Sequence, residues 1–115
     1  MSGGARVELV WEASCPHVEA AREVVREALA AVGVPERWNE WQIGVDTLPA
    51  HARGYGSPSV FVDGREVTGA TAGDADDCCR VYRGPTGLGG VPTVSDVMRL
   101  LDVMRLLSRS ARRAT

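Results

Sequence analysis

The sequence predicts an α/β domain: a β-α-β unit, then a β-hairpin, then a C-terminal helix, on a four-stranded mixed sheet. Three observations predict it. A run of β-formers passes directly into a stretch of helical periodicity. An Asp-Gly pair, Asp63-Gly64, separates two further β-forming runs. A second periodic stripe follows a capping signature at Thr93.

Residues 6–11 (RVELVW) alternate, with Val7, Leu9 and Trp11 on one face of a first strand. Glu12, Ala13 and Ser14 turn the chain into Cys15-Pro16, with Pro16 expected at the first helical position, where its missing N–H costs nothing. Over residues 16–32, Val18, Ala21, Val25, Ala28 and Val32 recur at steps of three and four, with Glu19, Arg22, Glu23, Arg26 and Glu27 on the other side. Gly33 ends the helix as a left-handed cap. Residues 38–45 (WNEWQIGV) read as a second strand, parallel to the first across a right-handed crossover.

Residues 46–56 read as a short helix or irregular link that turns Leu48, Ala52 and Tyr55 inward. Residues 59–62 (SVFV) and 65–68 (REVT) flank Asp63-Gly64, the preferred pair for a type I′ hairpin turn. An acidic stretch at 69–77 leads to Cys78-Cys79-Arg80-Val81-Tyr82, and a Gly/Pro loop follows over 83–92. Thr93, with Asp96 three places on, caps a last helix to about Ser108. Val94, Val97, Leu101, Met104 and Leu107 form its expected buried stripe. The domain is expected at 6–108, with 1–5 and 109–115 as flexible termini.

The 115 residues suffice for one domain, and 44% hydrophobic with 24% charged residues is an ordinary globular balance. A formal charge of −2 argues against nucleic acid as a partner. All 13 basic residues are Arg, a bias that reads as genomic rather than adaptive. No basic-then-apolar leader and no apolar run near the about 18 residues of a membrane span is present, so the expected location is the cytoplasm. Three cysteines in a reducing compartment read as catalytic or metal-binding thiols rather than staples.

The Cys-Pro pair (Cys15, Pro16) follows strand one, and Ser57-Pro58-Ser59 enters strand three. With this order of elements, the chain resembles the thioredoxin-like superfamily, glutaredoxins included, over nearly its whole length. The resemblance implies a reactive Cys15 faced by a cis Ser57–Pro58 bond. A nearer resemblance is to small bacterial thioredoxin-like proteins labelled as alkylmercury lyase or mercury-resistance relatives. It rests on C-R-V-Y-R (79–83), G-L-x-G-x-P (87–92) and S-P-x-x-x-V-D-G-R (57–65). The chain departs from the thioredoxin Cys-x-x-Cys pattern, since Val18 stands three places after Cys15 and excludes disulfide exchange within that turn.

Between a strand and a helix, the Cys15 sulfur is expected to meet the free N–H groups of the helix start, which favour the reactive thiolate. The competing reading is a small buried hydrophobe. In glutaredoxins the segment after strand four lines the glutathione site, and Gly69, Gly73, Asp74, Asp76 and Asp77 resemble it in character. That analogy implies that Cys79, or its neighbour Cys78, approaches Cys15. Pro58 on its own also fits a trans proline opening a strand. His17 reads either as an acid–base group beside Cys15 or as a solvated first-turn residue. Arg80 and Tyr82 read as holding an anionic thiol ligand such as glutathione, or Arg80 as neutralising the acidic run before it. Trp11, Trp38 and Trp41 read as core.

The function expected first is thiol–disulfide exchange, with Cys15 as nucleophile and Cys79, Cys78 or glutathione resolving the intermediate. Its substrate would be a small thiol or disulfide, or a protein disulfide, with no obligatory cofactor. The second expectation is a soft-metal site in which Cys15, Cys78 and Cys79 bind a thiophilic ion, or a mercurial substrate with Asp76 or Asp77 as proton donor. The third is a non-catalytic interaction module.

Overall fold

Strict alternation along β1 (Val7–Trp11) sends Val7, Leu9 and Trp11 to one side of the sheet and Glu8 and Val10 to the other, and both sides are covered. The structure is a computed structural model describing residues 5–73, 80–84 and 87–113. β1 is an inner strand. It pairs in parallel with β2 (Asn39–Gln42) and antiparallel with β3 (Ser59–Val62), which pairs antiparallel with β4 (Arg65–Glu66). The order β2-β1-β3-β4 makes a four-stranded mixed sheet in an α/β domain with two helices.

The helices α1 (Val18–Val32) and α2 (Val94–Arg113) lie on one face. Ala21, Val25, Ala28 and Leu29 of α1, with Val97 and Leu101 of α2, close over Val7, Leu9, Val60 and Val62. Each of these Val and Leu side chains taken from water stabilises the fold by roughly 1.5–3 kcal/mol. The other face is covered by the connection after β2, where Leu48 and Ala52 pack on Val10 and Phe61 with Tyr55 against them. This inward set is the expected one, although the link holds only a single 3-10 turn, Ala50–Ala52.

Both residues of the Asp63-Gly64 turn have positive φ, 50° and 80°, as a type I′ hairpin requires. Gly33 at φ 85° caps α1 as expected. Thr93 and Asp96 form a reciprocal box: Asp96 N–H donates to Thr93 Oγ1 at 3.0 Å, and Thr93 N–H to Asp96 Oδ2 at 3.2 Å.

Several bounds differ from expectation for local reasons. α1 starts at Val18 with His17 as its cap, so Pro16 precedes the helix rather than opening it. β4 stops at Glu66, whose carboxylate accepts from Thr68 N–H, the Thr68 hydroxyl and Ala70 N–H and so curls the chain off the sheet. The Gly/Pro loop contains a small separate hairpin, β5 (Tyr82–Gly84) against β6 (Gly87–Gly89). α2 continues through Arg113, and Leu107 is 52% exposed instead of buried. No helix among the described residues is long and apolar enough to cross a membrane.

Candidate functional site

Where β1 ends, the chain makes one tight turn. Cys15 N–H donates to Glu12 O at 3.0 Å, while the Glu12 carboxylate accepts from Ser14 N–H at 3.1 Å and from the Ser14 hydroxyl. These bonds fix four residues by backbone and short side-chain contacts alone. Ala13, Ser14 and Pro16 are exposed around the turn, yet Cys15 itself is only 7% exposed. It counts among the buried hydrophobic residues and, like Val18, lies outside the two packed clusters. Cys15 stands three residues before the first helical residue, two residues further from the free N–H groups than a Pro16 helix start would give.

The antiparallel register of β1 with β3 sets Val10 against Ser59, so the start of β3 meets the end of β1. The Ser57 hydroxyl accepts the Glu12 N–H at 2.9 Å, joining the turn of Cys15 to the residue before Pro58. The Ser57–Pro58 bond is cis, as the resemblance implied. Ser57, Pro58 and Ser59 are all buried.

Arg80 and Tyr82 brace this run. Arg80 N–H donates to Ser57 O at 2.8 Å, and the Tyr82 hydroxyl donates to Pro58 O. The Arg80 guanidinium lies over the Tyr82 ring at 4.4 Å and donates to Ser59 Oγ at 3.0 Å and to Glu66 Oε2 at 2.9 Å. Glu66 is 1% exposed in its side chain and Arg80 14%, so the pair is buried together. Arg80 therefore neutralises Glu66, with its Nη1 directed inward, while the Asp residues of the acidic run before it lie outside the described residues. Burial pushes the Tyr82 phenol well above its ordinary value, which keeps it a donor.

His17 is half-buried rather than solvated. A Cβ at Gly90 would come within 2.3 Å of its ring, so the stretch after β6 lies directly against the imidazole. The chain from Arg80 to Gly90 thus leaves from Ser57 and returns to His17, bracketing the turn of Cys15. Cys78 and Cys79, with Asp74, Asp76 and Asp77, lie outside the described residues. Among the described residues, no group of three or more His, Cys, Asp or Glu side chains is placed to hold a metal ion.

Two features escaped the sequence reading. Glu8 is fully buried on β1, accepting from Trp41 Nε1 at 2.9 Å and paired with His51 Nε2 at 2.7 Å. The signal was a lone acid inside an apolar strand, readable only once both faces of that strand are known to be covered. The second is a surface concavity of about 690 Å³ lined by Arg6, Arg37, Trp38 and Glu40, at the end of the sheet away from Cys15. Its strands are held to α1 by Glu40, which takes Arg22 Nε and Nη2 at 2.9 and 2.8 Å and Trp38 Nε1 at 2.9 Å. The Arg22 bonds hold the Glu40 carboxyl below its ordinary value.

Compared with models of protein families, with curated proteins and with solved structures, the chain finds no match.

Proposed function

We propose that the chain is a thioredoxin-like thiol–disulfide oxidoreductase whose nucleophile is Cys15. The observation that carries this reading is where Cys15 sits: on the tight turn that joins β1 to α1, tied by the Glu12–Ser57 hydrogen bond to the braced Ser57–Pro58 run. The strand order β2-β1-β3-β4, with both helices on one face, fits the same reading.

In the reaction, the Cys15 thiolate attacks one sulfur of a disulfide R–S–S–R′. The Cys15–S–S–R bond forms as the substrate S–S bond breaks, and R′S⁻ leaves and takes a proton from water. External glutathione then attacks the R sulfur of the mixed disulfide, which returns Cys15 as thiolate and forms GS–S–R, and a second glutathione reduces that to RSH and glutathione disulfide. On the internal route Cys79 or Cys78 attacks Cys15 Sγ instead, RS⁻ leaves and takes a proton from water, and two glutathiones reduce the resulting protein disulfide to the free thiols. Two thiols are oxidised for each disulfide reduced. Ser57 positions the turn, while Arg80 and Tyr82 hold the Pro58 run from behind and leave the substrate side to the exposed rim of Ala13, Ser14 and Pro16.

The test is reduction of a small mixed disulfide with glutathione as reductant, run on the wild type and on Cys15→Ser, Cys78→Ser and Cys79→Ser. Turnover lost in Cys15→Ser, and retained or glutathione-dependent in the other two, supports the reading. Wild-type turnover that survives Cys15→Ser overturns it. Stoichiometric Hg(II) or Cd(II) binding through the same cysteines, without turnover, assigns them to metal handling instead.

A further inference from the structure

The C-terminal half of α2 carries more apolar surface than its own domain covers. Val97 and Leu101 face the core, with Val94, Met98, Leu100 and Met104 packed beside them. Val103, Leu106 and Leu107 lie on the opposite side and are 43%, 59% and 52% exposed. Over residues 100–107 the helix is therefore apolar nearly all round, a pattern that calls for burial on both sides.

The edge of this outer stripe says what covers it. Asp102 and Arg109 stand seven residues apart, two helical turns, along one margin. Both belong to a shallow depression of about 290 Å³ shared with Arg105 and Leu106. Among the described residues neither has an ion-pair partner within the chain, and at this spacing they are too far apart to pair with each other. Two α2 helices laid antiparallel about an axis between Arg105 and Leu106 set Asp102 of each copy against Arg109 of the other. The same two-fold brings both sets of Val103, Leu106 and Leu107 face to face. A parallel pairing would put this margin of the two helices on opposite sides of the seam, where Asp102 and Arg109 of one copy meet neither residue of the other.

We propose that this face of α2 is a homodimer interface, a two-fold antiparallel helix pair closed by Val103, Leu106 and Leu107 and registered by reciprocal Asp102–Arg109 ion pairs. The contact is isologous, so it closes at two copies and does not propagate. A three-turn helix pair is smaller than a standard stable interface, so the dimer is a weak, concentration-dependent one. It leaves the turn of Cys15, at the other end of the chain, free in both copies.

Sedimentation equilibrium of the whole chain under a phosphine reductant, which prevents disulfide-linked copies, tests this. The wild type should pass from monomer to dimer with rising concentration, and Leu106→Glu should be monomeric with an unchanged circular dichroism spectrum. Asp102→Arg and Arg109→Asp should each weaken the dimer about tenfold, since each copy then repels itself. An equimolar mixture of the two should recover wild-type association, because one presents two cations and the other two anions. Should Leu106→Glu fail to fold, the charge variants decide alone. A wild type monomeric to about 1 mM, or a dimer that ignores both charge variants, overturns the proposal.

Discussion

The Ser57 hydroxyl accepts the Glu12 N–H at 2.9 Å, so the turn that presents Cys15 is held by the residue immediately before Pro58. Ser57 is fully buried. Ser57→Ala should therefore leave the Glu12 N–H without its acceptor and lower stability by about 1–2 kcal/mol in urea unfolding. It should also change the reaction rate of Cys15 with small thiol reagents, which a purely local defect would not. An unchanged Cys15 rate would mean that the bond does not position the turn.

Arg80 and Glu66 form the most buried ion pair beside the site, with side chains 14% and 1% exposed. Replacing Arg80 by Met strands the Glu66 carboxylate on its bonds to Thr68 and Ala70 alone. The expected loss is about 3 kcal/mol by chemical denaturation. Pairing Arg80→Met with Glu66→Gln should recover part of that loss. A double variant as unstable as the sum of the singles would show that the two are not coupled.

What the sequence made legible, and what it did not, follows from the range of the interactions involved. The Asp63-Gly64 hairpin, the Thr93–Asp96 box and the Gly33 cap are set by residues within four positions of one another, and all three are present. So is the α1 stripe of Val18, Ala21, Val25 and Ala28, whose period needs no partner to be read. The burial of Glu8 depends on Trp41 and His51, which reach it only after the chain has crossed the sheet and turned back. The β5–β6 hairpin is too rich in glycine to show strand alternation. Leu107 continues the period of α2 past the point where the core ends. At the candidate site, the Cys15-Pro16 and Ser57-Pro58 pairs stood out only through the resemblance they carry. The inward engagement of Arg80 was not readable, because its partner Glu66 lies on another strand.

Glu40 gives stability an acid limb. The Arg22 hydrogen bonds hold its folded value below the ordinary 4.5, with the Trp38 bond adding to them. A depressed carboxyl contributes stability that is present above its unfolded value and is lost as pH falls through the folded one. Glu40→Gln should cost about 1 kcal/mol at neutral pH, discounted for its partial exposure, and should flatten the decline of stability below pH about 4.5. Urea midpoints across that range read the difference. Parallel curves for the two proteins would contradict the assignment.

Tyr82 gives the opposite limb. Burial, the largest cause, raises its folded value above the ordinary 10.0. A raised value contributes stability that is fully present below the unfolded value and is lost as pH rises through the folded one. Phenolate absorbance recorded up to about pH 11 should therefore be the same for wild type and Tyr82→Phe. A smaller amplitude in the variant would mean that Tyr82 ionises normally and is not the buried donor to Pro58 O.

The central claim is that Cys15 is a poised nucleophile rather than a piece of the core. Competitive alkylation at neutral pH, with each cysteine mapped by mass, measures its rate in the folded chain and in the urea-unfolded chain. A poised Cys15 reacts faster folded than unfolded despite being 7% exposed, because the fold presents it. A Cys15 that is protected by folding, as any buried aliphatic-like thiol would be, contradicts the account.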